Sequence, residues 1–92
     1  MRITFDPDKR GRTLEERGLD FADAAEVFGG PTFDWVDDRE DYGETRIIRA
    51  GYLRGRMVII AWTPRSDARH VFSMRKANDR EKARFGERLG KG

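Results

Sequence analysis

Basic side chains in the second half of this 92-residue chain could hold a phosphate group. Arg65 follows an apolar strand and Arg75 ends the next one, so both flank one hairpin strand. They could converge at the end or along one face of a sheet. Guanidinium groups bind a phosphodiester and stabilise the charge of its pentacoordinate transition state. Further basic residues lie on the same strand and at the start of the last helix: Arg69, Lys76, Arg80 and Lys82.

His70 is the only histidine and could act as a general acid or base near neutral pH. RNA cleavage needs no metal in principle, because the 2′-hydroxyl attacks while the protein supplies proton transfer and charge stabilisation. Alternation along residues 69–75 places His70 on one face with Phe72 and Met74. The competing interpretation is therefore a partly buried histidine beside the core.

The net charge of +2 conceals a division between two halves of opposite sign. Residues 1–45 carry six Lys/Arg and thirteen Asp/Glu, whereas residues 46–92 carry thirteen Lys/Arg and four Asp/Glu. A basic half of this kind indicates a polyanion or an acidic partner. Alternatively, its arginines pair with the acidic half of the same chain, and residue types alone leave both interpretations open.

Several function classes are excluded or disfavoured. The absence of cysteine excludes a disulfide scaffold, a zinc ribbon and a thiol nucleophile. No HExxH, GxGxxG, Walker or GxSxG motif occurs, and no recognition-helix motif supports general DNA binding. We predict no metal and no cofactor. The acidic run Asp37, Asp38, Glu40 and Asp41 is predicted to be a solvated loop rather than a cation site.

The chain also lacks the sequence features of membrane or secreted proteins. Its longest apolar run, residues 57–62, is far shorter than a membrane span, and residues 1–7 contain no signal-peptide core. A cytoplasmic location is therefore expected, with no membrane partner.

Local signals predict one α+β domain over residues 1–92. Strands are predicted at 2–5, 32–36, 45–53, 56–63 and 69–75, and helices at 7–17 and 21–28 and from the Asn78 cap to about 89. Caps support the helices, with Asp6-Pro7 and Asp20 as starts, Gly18 as a stop, and Asn78 with Glu81 as a capping box. We expect an antiparallel sheet of about four to five strands, covered on one face by the two N-terminal helices. The last helix is expected to pack at an edge or extend freely.

Four short segments, in order along nearly the whole chain, resemble the BrnT family of toxins from type II toxin–antitoxin systems: residues 5–9, residues 17–24 with Val27-Phe28, residues 59–65, and residues 71–77 followed by Glu81. The resemblance implies a RelE-like fold and a ribonuclease that blocks translation. It also implies neutralisation by a ribbon-helix-helix antitoxin, BrnA. The resemblance implies that the toxin–antitoxin pair represses its own operon through the DNA-binding domain of the antitoxin. The toxin then contacts operator DNA only indirectly, through the antitoxin. Toxin and antitoxin could together form a heterotetramer.

The resemblance also implies site residues, since six positions match what the family usually has: Lys9, Thr63, Arg65, Ser73, Arg75 and Lys76. Three positions depart from its pattern, namely Thr13, Arg17 and His70. The leading hypothesis is a metal-independent endoribonuclease. Its catalytic residues are Arg65, Arg75 and His70, and its RNA-binding residues are Lys9, Arg69, Lys76 and Arg80. The alternative is a catalytically weakened or inactive binding module that keeps the antitoxin-binding role.

Overall fold

The computed structural model describes residues 2–89 and confirms the predicted α+β class. The second predicted helix starts as a 3-10 turn, Phe21–Asp23. The other predicted elements are present within about two residues of their expected ends. The elements in chain order are β1 (Arg2–Phe5), α1 (Pro7–Arg17), α2 (Ala24–Phe28), β2 (Thr32–Asp37), β3 (Arg46–Leu53), β4 (Arg56–Arg65), β5 (Ala68–Lys76) and α3 (Asp79–Leu89).

The five strands form one sheet in the order β1-β5-β4-β3-β2. Strands β2 to β5 are antiparallel neighbours, as the hairpin signals predict. Strand β1 differs, because it pairs in parallel with β5 and so makes the sheet mixed. Its partner lies 66 residues away at the Thr4–His70 contact, so no local hairpin signal could announce this pairing.

Apolar side chains are buried on both faces of the sheet. On the first face, Phe21 and Val27 pack against the sheet around Ile60. On the second face, Phe85 and Leu89 of α3 are buried in a separate core. The alternative that the last helix extends freely is therefore wrong, since α3 packs on the second face against β2, the edge strand of the sheet. Its two apolar side chains pack on a surface made by residues of β2, β3 and β4: Phe33, Trp35, Ala50, Met57 and Ile59.

Helix α1 has no buried residue, so polar contacts rather than apolar packing hold it against the rest of the protein. Arg10 makes a two-pronged ion pair with Asp20 at 2.7 and 2.8 Å. Arg17 donates to the main-chain carbonyl of Met74 at 3.0 Å. The helix therefore runs beside β5 beyond the point where the pairing with β1 ends. Among the helices of residues 2–89, none is long and apolar enough to cross a membrane.

The contact between α2 and β3 depends on the missing side chain of Gly51. A Cβ atom at this position would lie 2.6 Å from Cγ1 of Val27, which is fully buried. Neither the helix nor the valine can move away without disturbing the first core, since protein interiors are close-packed.

We therefore expect Gly51→Ala to lower the free energy of unfolding by about 1–3 kcal/mol through overpacking. The measurement is urea denaturation followed by circular dichroism. Gly11→Ala is the matched control, because no atom lies within 4 Å of a Cβ placed there, in the middle of α1. That control should be neutral or stabilising by up to about 1 kcal/mol. An unchanged midpoint for Gly51→Ala would contradict this packing.

Candidate functional site

Strand β5 contains one residue more than β4 across the middle of their ladder. Val71 pairs with Trp62 and Ser73 pairs with Ala61, which leaves Phe72 as the extra residue of a β-bulge. A bulge changes the direction of the side chains that follow it. The strand can therefore present neighbouring residues to one face where a regular strand would alternate.

The bulge decides which side chains of β5 share a face. Alternation predicts Met74 on the face of His70 and Phe72, but Met74 is fully buried in the first core. That prediction is wrong because the two-residue period shifts by one at the bulge. His70 and Phe72 do share a face, with ring centroids 5.3 Å apart. The second face thus carries a set of side chains that we call the β5 row: His70, Phe72, Ser73 and Arg75.

His70 is half-buried at one end of the β5 row. Its Nδ1 atom lies 2.8 Å from Oγ1 of Thr4, which leaves Nε2 as the ring nitrogen that a bound molecule can meet. Burial lowers the pKa of His70, and the positive charge of Arg65 lowers it further, while Glu44 opposes both. Lys9 adds a smaller lowering of the same pKa. His70 is therefore a neutral imidazole at pH 7.

Arg65 lies beside this histidine at the end of β4 and is joined to Glu44. Its Nη2 and Nε atoms are 2.8 and 3.3 Å from the two carboxylate oxygens. The pair raises the pKa of Arg65 and lowers that of Glu44. The side chain of Arg65 is 47% exposed, so a phosphate from solution can reach the guanidinium. Exposed pairs of this kind are weak and can exchange partners.

Arg46 lies in the same region and was not singled out from the sequence. Its guanidinium carbon is 4.0 Å from the ring centroid of Tyr42 and 4.2 Å from that of Phe72. Its Nε atom is buried and has no hydrogen-bond partner among residues 2–89. The stack brings together β3, the loop before it and β5, so residue spacing carries no signal for it. It adds a third positive charge near His70.

Arg75 occupies the other end of the β5 row and is joined to α3. Its two terminal nitrogens donate to the carboxylate of Glu81 at 2.7 and 2.8 Å. Glu81 also accepts from the main-chain nitrogen of Asn78, whose side chain accepts from the nitrogen of Glu81 in return. This confirms the predicted capping box. The arrangement raises the pKa of Arg75 and lowers that of Glu81.

Arg65 and Arg75 lie on the same face of the sheet but at opposite ends. Arg75 pairs with Ile59, six positions before Arg65 on β4. This separation corresponds to about 20 Å at the ordinary rise of a strand. The two arginines therefore line one face, as one of the two predicted arrangements has it, but they cannot hold the same phosphate.

The remaining predicted residues divide between the two faces. Lys9 lies near His70 and lines a groove of about 240 Å³ between α1 and β5, together with Thr13 and Arg17. Arg80 is exposed in the first turn of α3, next to the Arg75 end of the row. The structure thus brings Lys9 near His70 and places Arg80 next to Glu81, the ion-pair partner of Arg75.

Arg69 and Lys76 lie on the first face instead. The guanidinium carbon of Arg69 is 4.4 Å from the ring centroid of Phe28 and 5.6 Å from that of Trp62. Burial lowers the pKa of Arg69, and the neighbouring Arg49 lowers it further. Lys76 pairs with Val58, a residue of the first core, and is exposed beyond it. Neither side chain shares the surface of the β5 row.

Between the β5 row and the end of β2 lies an open cavity of about 330 Å³, which we call the Trp35 cavity. Its lining includes apolar side chains of the middle strands, and Ser73 and Arg75 border it on the β5 side. Ten residues contribute to it: Trp35, Val36, Asp37, Asp38, Arg39, Ile48, Ile59, Ala61, Ser73 and Arg75.

The acidic run beside this cavity is only partly a solvated loop. Asp37 is the last residue of β2 and is 7% exposed, so the prediction is wrong at this position. Its carboxylate accepts from Arg39 at 2.8 and 2.9 Å and from the Tyr42 hydroxyl at 3.2 Å. These contacts, led by Arg39, lower the pKa of Asp37 to about 2. Within residues 2–89, no group of three or more His, Asp or Glu side chains could hold a metal ion.

Comparison with known proteins gives one family match. Residues 5–81 match the family model described as "Ribonuclease toxin, BrnT, of type II toxin-antitoxin system". The matched range runs from the end of β1 to the first turn of α3 and includes every predicted site residue. No curated protein matches the sequence.

The position of His70 predicts how it titrates. We expect the titration midpoint of the His70 imidazole to lie below its ordinary value of about 6.5. Burial and the positive charge of Arg65 both disfavour the protonated ring. The unfolded chain then holds the proton more tightly than the folded one. The contribution of His70 to the free energy of unfolding is therefore fully present above about pH 6.5. It decreases as the pH falls toward the pKa of His70 in the folded protein.

Proton NMR can follow this titration without ambiguity, since the chain has one histidine. Arg65→Met should raise the midpoint, because it removes a positive charge beside the ring. Arg54→Met is the matched control, since Arg54 is also exposed and paired but contacts Asp23 and Glu26. A wild-type midpoint at or above 6.5 would refute the assigned environment.

Proposed function

Because this chain belongs to the BrnT family of ribonuclease toxins from type II toxin–antitoxin systems, we propose that it is a metal-independent endoribonuclease. The observation that carries the proposal is the end of the β5 row. There a neutral histidine lies beside Arg65 and Lys9 on an accessible surface. Those groups supply the proton transfer and the positive charge that RNA cleavage requires.

In the proposed reaction, the 2′-hydroxyl attacks the adjacent phosphorus and the bond to the 5′-oxygen breaks. The products are a 2′,3′-cyclic phosphate and a 5′-hydroxyl, so no water or metal enters this step. Nε2 of His70 exchanges the proton with the reacting oxygens, while Nδ1 stays with Thr4. Arg65 and Lys9 stabilise the additional negative charge of the pentacoordinate phosphorus.

Arg75 has a different role in this proposal, because it lies about 20 Å along the strand from Arg65. It binds another phosphate of the same RNA strand, with Arg80 beside it. Arg69 and Lys76 face away from His70, so we assign them long-range attraction of RNA rather than contact with the cleaved phosphate.

We further propose the biological setting that the family resemblance implies. Cleavage of messenger RNA in the cytoplasm inhibits translation, and a BrnA-type ribbon-helix-helix antitoxin neutralises the toxin by covering the basic surface. The pair then meets operator DNA through the antitoxin, in an assembly such as a heterotetramer. The five-stranded sheet with helices on both faces also supports a RelE-like fold.

Single substitutions test the enzymatic proposal. His70→Gln should lower kcat on single-stranded RNA by about 10²–10⁴-fold, the usual contribution of general acid–base catalysis. Arg65→Ala should lower kcat by about 10²–10³-fold through lost charge stabilisation. Arg75→Ala should act mainly on KM, since it holds a remote phosphate.

Arg54→Ala serves as the control, being 67% exposed and ion-paired but on the first face. RNA cleavage and arrest of translation in a cell-free system are measured for all four variants. Intact RNA with the wild-type protein would exclude the enzymatic function.

A second candidate function is the inactive binding module. One observation favours it: Arg65 and Arg75 are both already occupied by carboxylates, Glu44 and Glu81. A module of this kind would bind the antitoxin but leave RNA and growth unaffected.

Glu81→Gln distinguishes the two functions. The amide keeps a capping group at the start of α3 but removes the charge paired with Arg75. An enzyme should then bind RNA several-fold more tightly, with a lower KM and similar kcat. Asp79→Asn is the control, since Asp79 lies in the same turn and pairs with Lys82. No RNA binding by either variant, with antitoxin binding retained, would favour the inactive module.

A further inference from the structure

We propose that the Trp35 cavity binds one nucleobase of a single-stranded RNA whose neighbouring phosphate is held by Arg75. The inference rests on the proposed function and adds a binding site to it. Arg75 lines the cavity, so a phosphate on its guanidinium places the attached nucleoside at the cavity mouth.

The cavity has the size and composition that a base requires. Its volume of about 330 Å³ is at the lower end of the range for small-molecule sites, about 300–1,000 Å³. Ile48, Ile59 and Ala61 give it an apolar floor at the middle of the sheet. A flat, uncharged ring can cover such a floor and lose little hydration.

Trp35 provides an aromatic wall that is already held in place. Its ring stacks on Phe85 of α3, with centroids 4.9 Å apart and planes inclined by 22°. Bases of single-stranded RNA commonly bind by contact with such aromatic side chains. Because Trp35 is fixed by α3, the base meets a wall that needs little reorganisation.

Polar groups around the cavity match the edges of a base. Ser73 offers a hydroxyl that can donate and accept, and Arg39 offers guanidinium donors oriented by its ion pair with Asp37. Asp38 is exposed and forms no ion pair within the described residues, so its carboxylate is an acceptor for an amino or imino group.

The same groups disfavour an acidic peptide as the occupant. Asp38 places at the cavity a carboxylate that forms no ion pair within residues 2–89, and this charge repels a negatively charged segment. A nucleobase is uncharged, so only its phosphate feels Arg75.

The test fills the cavity without altering the proposed catalytic residues. Ala61→Leu adds bulk to the floor, and Ser73→Leu narrows the cavity from the β5 side. Ala25→Leu is the matched control, because Ala25 is exposed on α2 over the other face. Thermal unfolding checks that all three variants remain folded.

The probe is a short single-stranded RNA with 2′-O-methyl groups, which block cleavage, and a second set carries one abasic position each. Binding is measured by fluorescence anisotropy. For the wild type, one abasic position should weaken binding about tenfold, the usual value of a stacked base. Ala61→Leu and Ser73→Leu should weaken binding of the intact probe similarly and be insensitive to that abasic position. Ala25→Leu should behave as the wild type.

Equal affinity of Ala61→Leu and the wild type would overturn the proposal, as would an abasic effect that persists in Ala61→Leu. Loss of antitoxin binding without loss of RNA binding would identify the cavity as a protein-docking site and also overturn it. Base-dependent binding without cleavage by the wild type supports the cavity and refutes the enzyme. Normal cleavage with no base dependence refutes the cavity and leaves the enzyme standing.

Discussion

The extra residue in β5 is the constraint on which the candidate functional surface depends. A regular strand could not place Val71 and Met74 in the first core and also place His70 and Arg75 on the second face. The bulge at Phe72 shifts the period by one, so the apolar and the polar requirements are both met. Without it, either Met74 and Arg75 would exchange faces or His70 and Val71 would do so. The packing of the first core and the placement of the candidate site residues are therefore reconciled at a single position.

The two interpretations of the basic half turn out to describe the same residues. Ion pairs do join the halves of opposite charge, as in Arg49 with Asp34 and Arg65 with Glu44. Arg75 pairs within its own half, with Glu81. The side chains of Arg65 and Arg75 are nevertheless about half exposed, and exposed pairs contribute little stability. These ion pairs thus hold the arginine side chains in place. The arginines can still exchange their carboxylate partners for phosphates.

Local chemistry made much of the fold predictable. Asp6 and Gly18 mark the ends of α1, and the capping box of Asn78 and Glu81 marks the start of α3. Arg65 and Arg75 could be proposed from residue type and resemblance, and His70 from residue type alone, since it departs from the family pattern. The stack of Arg46 between Tyr42 and Phe72 could not, because it joins segments far apart in the chain.

The same limit explains the errors. The face on which α3 packs depends on Phe33 and Trp35, which lie some 50 residues before Phe85 and stack on it. The bulge depends on how β5 matches β4, and no residue of β5 is a glycine or proline that would mark an irregularity. Sequence patterns therefore located the strands but not their register.

The parallel pairing of β1 with β5 has a consequence for how the protein is made. The ribosome synthesises β1 before any other strand, yet its partner is the last strand of the sheet. Thr4 can meet His70 only after β5 has emerged, so an incomplete nascent chain cannot assemble this part of the surface. For a protein whose proposed substrate is RNA, this late closure of the sheet delays assembly of the candidate site until β5 has been synthesised.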